Sequence, residues 1–227
     1  SSAASDVYKR QIKKGLDINL KGKASDVLLN GGKSDTYAIV PDYYNGIVPK
    51  VVAKVGEKVK AGSVLMIDKN RPEIKFVSPV SGEVTAVNRG EKRKVLSVVV
   101  KPEAQVEYED FGKKNVASLK REEVKEAIQQ AGMWPFIKQR PYDIVASPAD
   151  EPRDIFVSAF YSAPLAPNFD FIVKGQEADF QAGLDALAKL TDGKVYVGIR
   201  KGSSVSVKGV ETVEVEGPHP AAVSYTH

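Results

Sequence analysis

Residues 46–64 read GIVPKVVAKVGEKVKAGSV and residues 82–100 read GEVTAVNRGEKRKVLSVVV. Each stretch holds a valine-rich run, a Gly-Glu-Lys turn (Gly56-Glu57-Lys58 and Gly90-Glu91-Lys92) and a second apolar run. Such doubling predicts a small β-sandwich built from two interlocked hairpin units. Val48, Val51, Val55, Val59, Val64 and Ile67 are the expected apolar set of the first half. Ile74, Phe76, Val80, Val84, Val87 and residues 95–100 supply the second. Gly56 and Gly90 are expected at equivalent turns, where glycine takes φ > 0 at little cost. Ser78-Pro79-Val80-Ser81-Gly82 marks the join between halves.

Upstream, Leu16, Ile18 and Leu20 alternate with polar residues, which predicts a short strand within 12–20. Residues 37–40 form another, stopped by Pro41 and followed by the turn-rich loop Asp42-Tyr43-Tyr44-Asn45-Gly46. Downstream, Ser118 is the expected N-cap of a helix with Val124, Ala127, Ile128 and Ala131 on one face and Gly132 at its end. Met133-Trp134-Pro135-Phe136-Ile137-Lys138-Gln139-Arg140-Pro141-Tyr142-Asp143 follows, dense in aromatics and prolines. After Pro152 the pattern changes. Residues 154–160 read as a buried strand, 177–190 as an amphipathic helix, 194–199 as an apolar strand and 212–215 as a further strand. Strand, helix, strand at this spacing predicts a βαβ unit with a parallel sheet.

The fold class is therefore mixed α+β and α/β: a lipoyl/biotinyl-like β-sandwich (barrel-sandwich hybrid) followed by a Rossmann-like α/β domain. The expected divisions are the β module at 12–101, a connector with one helix at 102–152 and the α/β domain, incomplete, at 153–222. The flanks, SSAASDVYKRQ at 1–11 and VSYTH at 223–227, share no pattern with their neighbours. They resemble translated adaptor read-through and are set aside from fold reasoning, so the chain is expected to be a piece of a longer protein.

With 227 residues, 42% hydrophobic and 27% charged, the chain has a globular balance with room for two domains. The formal charge of +4 and the absence of a run of five like charges argue against nucleic acid. Without cysteine there is no disulfide, thiolate metal site or cysteine nucleophile in these residues. Two histidines, His219 and His227, are too few for a histidine-rich metal site, and a serine–histidine triad is disfavoured. No apolar stretch approaches the roughly 20 residues of a membrane span, and no signal peptide is expected.

Four places could carry chemistry. In lipoyl and biotinyl domains a lysine at the tip of the hairpin joining the halves is modified. Here that stretch runs from Met66 to Ile74 and offers Lys69, but the tip falls near Arg71 and Pro72, so an exposed turn lysine is the stronger reading. A dinucleotide site would need a glycine-rich turn after the strand at 154–160, yet residues 161–168 (YSAPLAPN) hold no glycine. Lys201-Gly202-Ser203-Ser204 could form a small anion nest, with a plain turn the stronger reading. In residues 134–142, Arg140 could pair with a carboxylate and the aromatics could stack on a flat ring. By spacing alone this stretch packs a domain connection onto its core. His219, between Pro218 and Pro220, shows no partner in the sequence, which favours a structural or interface role.

Six motifs occur in order: Ile12-Lys13-Lys14-Gly15-Leu16-Asp17; Ser78 to Gly82 with Asn88-Arg89-Gly90-Glu91-Lys92-Arg93; Trp134 with Arg140-Pro141; Pro164-Leu165-Ala166; Gly193-Lys194-Val195-Tyr196-Val197; and Gly217-Pro218-His219-Pro220. Together, over nearly all of residues 12–222, they resemble the A subunits of the sodium-translocating NADH:quinone oxidoreductases (Nqr). The resemblance implies a peripheral component on the cytoplasmic face of a bacterial inner-membrane complex, without a span of its own. That complex is a translocase passing electrons from NADH to ubiquinone with export of sodium. FMN, FAD and the 2Fe-2S centre are then held by partner subunits, and the chain alone is not catalytic. The implied partners are other Nqr subunits, above all the membrane-embedded one at the quinone site, and ubiquinone.

The resemblance links Asp42, Tyr43 and Gly46, and Trp134, Lys138, Arg140 and Tyr142, to quinone proximity. The family commonly has Arg-Thr-Arg-Pro-Phe where this chain has Lys138-Gln139-Arg140-Pro141-Tyr142, so Lys138 replaces a fork with a point charge. Binding of FMN or NADH by the chain itself is not expected. The equivalent component of the related Rnf electron-transport complex (RnfC), and a lipoyl or biotin carrier component, are the alternative readings.

Overall fold

A computed structural model describes residues 14–17, 19–22 and 25–221, together with the backbone of residues 8–11. Contacts divide the chain into two compact units. One comprises residues 31–115 and 119–150; the other holds 116–118 and 151–221 with the described residues before 31.

The first unit is the doubled β module. One antiparallel sheet has the strand order Tyr37–Ile39, Val95–Pro102, Gly82–Arg89, Lys58–Val59. A second has the order Pro49–Val51, Val64–Asp68, Lys75–Val77. Leu65, Val84, Val98 and Val100 are fully buried between them, with Ala53, Val59 and Val95 around them. Val48 and Val55, expected in the core, are instead exposed, and Leu65 and Met66 take their place at 0% exposure. A register shift between Val64 and Met66 against Lys75–Val77 breaks the strict alternation, so that the consecutive Leu65 and Met66 side chains both point inward, whereas Val48 and Val55 lie in the loop and turn outside the strands.

The two Gly-Glu-Lys turns also differ. Gly56 takes φ +87° and donates its N–H to the Val84 carbonyl. Gly90 stays extended at φ −96°, and positive φ falls on Lys92 (52°) and Arg93 (62°) instead. Gly82 is required for a different reason: a Cβ there would lie 1.9 Å from the Lys101 carbonyl oxygen.

Residues 119–150 pack against this barrel rather than standing between modules. The helix Arg121–Gln130 starts after Lys120, whose N–H is accepted by Glu123 Oε2 (2.8 Å). Ser118, the expected N-cap, lies in a separate 3₁₀ turn, Val116–Ser118. Gly132 ends the helix at φ +69° and sits so close to Val77 that a Cβ would approach its methyls to 2.6 Å.

The second unit is a four-stranded parallel sheet in the order Tyr8–Gln11, Glu211–Glu216, Val195–Arg200, Ile155–Ser158. Its first strand falls in the flank set aside from the sequence reading, while the described residues of 14–20 contain no strand. Backbone ladders are blind to side-chain pattern, so an edge strand of the composition YKRQ gives no periodic signal. The helix Glu177–Ala188 covers one face through Leu184, Leu187 and Phe180 against Val195, Val197 and Ile199. Ile155–Ser158, expected buried, is an edge strand with Phe156 41% exposed. A short helix, Phe169–Val173, precedes the longer one.

Candidate functional site

The residues linked to quinone proximity all belong to the barrel unit, on two segments that one arginine holds together. Arg71 lies at the tip of the hairpin between Val64–Asp68 and Lys75–Val77, where a carrier domain presents its modifiable lysine. Its Nε donates to Asp68 Oδ2 (2.7 Å), its Nη1 to the Val145 carbonyl (3.1 Å) and its Nη2 to the Gly46 carbonyl (2.8 Å). Asp68 is 1% exposed and accepts further N–H bonds from Val48 (3.1 Å) and Asn70 (3.2 Å) through Oδ1. A planar guanidinium can serve three acceptors on three segments at once; an ammonium cannot hold that fork. Lys69, beside it, is exposed, with its backbone N–H bonded to the Val48 carbonyl.

Around this clamp the loop 42–46 meets the stretch 134–146. The Val145 N–H donates to the Asn45 carbonyl (2.9 Å) and the Asn45 amide to the Asp143 carbonyl (3.4 Å). Gly46, at φ +81°, leaves 2.8 Å between an imagined Cβ and the Ile144 Cβ, so glycine is needed there for close approach. The stretch itself is a 3₁₀ turn, Trp134–Phe136, followed by a two-residue ladder of Lys138–Gln139 with Ile144–Val145.

Trp134 is buried, 4% exposed, and its indole N–H is accepted by the Ala146 carbonyl (2.9 Å). It supports the site from beneath, as the packing reading of this stretch anticipates. Tyr44 is half-buried, edge-on to Phe76 (4.8 Å between ring centres) and to Phe136 (6.2 Å). Burial pushes its hydroxyl pKa upward. Tyr43, Tyr142 and Phe136 are exposed at 75%, 73% and 65%. Lys138 and Arg140 both face Asp143, each at 3.6 Å, and Asp42 pairs with Lys94 at 2.7 Å. The assembled surface thus offers open aromatic rings beside cations that one carboxylate partly neutralises. Arg71 and Asp68 are the members that sequence reasoning missed; the signal was an arginine standing where the hairpin tip should carry its lysine.

In the other unit, a cavity of about 490 Å³ opens beyond the carboxyl ends of the parallel strands, the usual ligand position of such sheets. Asp17, Phe160, Ser162, Arg200, Lys201 and Glu216 are among its lining residues. Their polar groups are largely committed to one another. Lys201 Nζ bonds both Glu216 oxygens (2.8 and 2.9 Å), and Arg200 lies over the Phe160 ring at 5.4 Å. The Ser162 hydroxyl accepts the Ala221 N–H (2.7 Å) and bonds His219 Nδ1 (2.9 Å).

His219, without a visible partner in the sequence, is therefore well held. Tyr161 stands edge-on to it, the Leu16 N–H donates to its carbonyl, and its own N–H donates to Asp17 Oδ1. The turn at 201–204 does cradle an anion, but an internal one: the Ser204 N–H and the Ser203 hydroxyl both donate to the Asp170 carboxylate. With no glycine in 161–168 and the nest filled by Asp170, the residues do not fit a dinucleotide pyrophosphate.

Among the described residues no helix is long and apolar enough to cross a membrane. A carrier-type barrel with an arginine clamp at its tip, followed by a parallel α/β domain, defines the class: two folds of the kinds that hold prosthetic groups and nucleotides, in one chain. The family follows from sequence comparison. The NqrA N-terminal barrel-sandwich hybrid domain matches residues 10–103 and the NqrA second alpha/beta domain matches residues 119–227, and the chain belongs to the NqrA family.

The chain is 41% identical over 222 residues to the A subunit of the Na(+)-translocating NADH-quinone reductase of Vibrio atlanticus, covering 95% of this chain and 49% of that protein. It is 36% identical over 222 residues to the protein of the same name from Neisseria meningitidis serogroup A, covering 96% and 50%. It is 39% identical over 221 residues to that of Aliivibrio salmonicida, covering 95% and 49%. The chain spans about half the length of these relatives. They favour Nqr over the Rnf alternative. The second family model begins at 119, whereas residues 119–150 fold onto the barrel, so the division by sequence model and the division by packing differ across this segment.

Proposed function

We propose that this chain acts in a Na⁺-translocating NADH:quinone reductase as a peripheral, non-catalytic scaffold beside the quinone site. The observation that supports this best is the pairing of loop 42–46 with stretch 134–146 through Arg71, in a chain whose relatives carry that enzyme's name. Exposed Tyr43, Phe136 and Tyr142 are suited to a flat, apolar ring, and Arg140 and Lys138, both beside Asp143, are suited to carbonyl oxygens. Electron carriers (FMN, FAD and the 2Fe-2S centre) belong to partner subunits in this reading, and sodium export to the membrane-embedded ones. A ring lying on this surface is covered on one side only, so the isolated chain binds ubiquinone weakly and a membrane partner completes the pocket.

The test is a chimaeric complex in which this chain replaces the matching half of the Vibrio atlanticus protein. Arg140→Ala and Tyr142→Ala should raise the KM for ubiquinone while leaving NADH oxidation by an artificial acceptor unchanged. Unaltered quinone kinetics in both variants, in an assembled complex, would refute the quinone-proximal assignment.

A further inference from the structure

The hairpin between Gly82–Arg89 and Val95–Pro102 ends in a tip that the quinone reading does not use. Residues 89–94 read RGEKRK, four cations and one carboxylate. At its turn Lys92 and Arg93 are both left-handed, at φ 52° and 62°. For residues with a Cβ each such conformation is costly, and Asn-Gly would make a tight turn with less strain. The tip is nevertheless well defined. The Gly90 N–H donates to the Lys94 carbonyl (2.8 Å), the Lys94 N–H to the Glu91 carbonyl (3.0 Å) and the Arg89 Nη1 to the Arg93 carbonyl (3.2 Å).

Backbone strain kept at an exposed turn points to a use for the side chains placed there. Residues 91–94 are all exposed. Arg89, Lys92 and Arg93 make no ion pair among the described residues; Lys94 alone is matched, by Asp42. That one pair joins the basic tip to the loop carrying Tyr43, and the same loop is bonded through Asn45 to the stretch carrying Tyr142.

Cations beside exposed amphipathic rings are the makings of a surface that lies on anionic lipid: the ammonium and guanidinium groups meet headgroup phosphates while tyrosines sit at headgroup depth. We propose that the Arg89–Lys94 tip, flanked by Tyr43, rests directly on an anionic bilayer. An acidic protein surface would need carboxylates matched in position to this one turn, whereas headgroup phosphates meet exposed cations at any spacing, which is why the lipid surface is preferred.

The test uses the purified chain and co-sedimentation with vesicles that contain no quinone, so it is independent of the quinone reading. Vesicles of phosphatidylcholine mixed with phosphatidylglycerol should bind the chain; pure phosphatidylcholine vesicles should not. Raising the ionic strength should release it, because exposed charges are screened. Each cation near such a surface is worth roughly fivefold in partitioning, so Lys92→Gln/Arg93→Gln should weaken binding about 30-fold. Lys113→Gln/Lys114→Gln removes the same charge from exposed positions elsewhere and should leave binding nearly unchanged. Circular dichroism confirms that both variants fold. Equal binding to the two vesicle types, no binding to either, or equal loss in the two double variants would overturn the proposal.

Discussion

Replacing Arg71 with alanine should loosen the barrel unit while leaving the α/β unit untouched. The substitution leaves Asp68, 1% exposed, without its cation, and strips a charged donor from the Gly46 and Val145 carbonyls. Removing one partner of a buried ion pair costs about 3–5 kcal/mol. Two features reduce that figure here. Arg71 keeps 20% of its side chain in solvent, and Asp68 retains two backbone N–H donors. We therefore expect a loss of about 3 kcal/mol, near the lower end of that range.

The chain supplies its own reporter. Trp134 is the sole tryptophan, is buried in this unit and hydrogen-bonds Ala146. Its fluorescence during urea unfolding follows the barrel unit separately from the other. In a thermal scan the same loss corresponds to a fall of roughly 12 °C, at about 4 °C per kcal/mol for a unit of this size. Arg71→Lys keeps the charge and loses the fork, so it should recover only part, about 1–2 kcal/mol. Asp68→Asn/Arg71→Met should recover more than Arg71→Ala alone, because no charge is then stranded. A fluorescence transition within 0.5 kcal/mol (an approximate limit of ordinary surface substitutions) of wild type in Arg71→Ala would show that the clamp is incidental.

Two further outcomes are expected. Asp154 has its carboxyl pKa held down, first by the Lys194 N–H (3.0 Å) and then by Arg153. A depressed folded pKa means its contribution is present above the unfolded value of about 4 and is lost as pH falls through the folded one. Protection factors in Val195–Arg200, taken relative to the intrinsic exchange rate at each pH, should thus fall in acid, less steeply in Asp154→Asn; identical pH profiles would refute the role. Lys69 should remain unmodified, since its neighbours form a clamp instead of a ligase-accessible tip: co-expression with lipoyl and biotinyl ligases should leave the intact mass unchanged, and a lipoyl or biotinyl increment on Lys69 would restore the carrier reading.

Periodic segments are legible in the sequence: the doubled valine runs, the helix Glu177–Ala188 and the strand Val195–Arg200 appear where apolar spacing places them. Illegible features depend on partners far away in the chain. A bulge at Val64 to Met66 turns both Leu65 and Met66 inward, while Val48 and Val55, which look like core residues, lie outside the strands and are exposed. The strand Tyr8–Gln11 is recruited by the backbone of Glu211–Glu216, which no local pattern announces. His219 looks isolated in the sequence because its partners, Ser162 and Asp17, lie 57 and 202 residues away. For the site, chemistry is visible as residue types, whereas the element that aligns them is not. Arg71 reads as an ordinary turn arginine until Gly46 and Val145 are seen on either side of it.

Both units show the same substitution of an internal group for an external one. In the barrel, the hairpin tip that would present a modified lysine turns its cation inward, onto Asp68 and two backbone carbonyls. In the α/β unit, the turn that could hold a phosphate holds the Asp170 carboxylate. A covalent swinging arm and a bound nucleotide each need a mobile or open position, and both positions here are closed by hydrogen bonds within the chain. Rigidity at those two points is a disadvantage for a carrier or a dehydrogenase and an advantage for a surface that must keep two loops in register. That physical difference is what supports the positioning role proposed above.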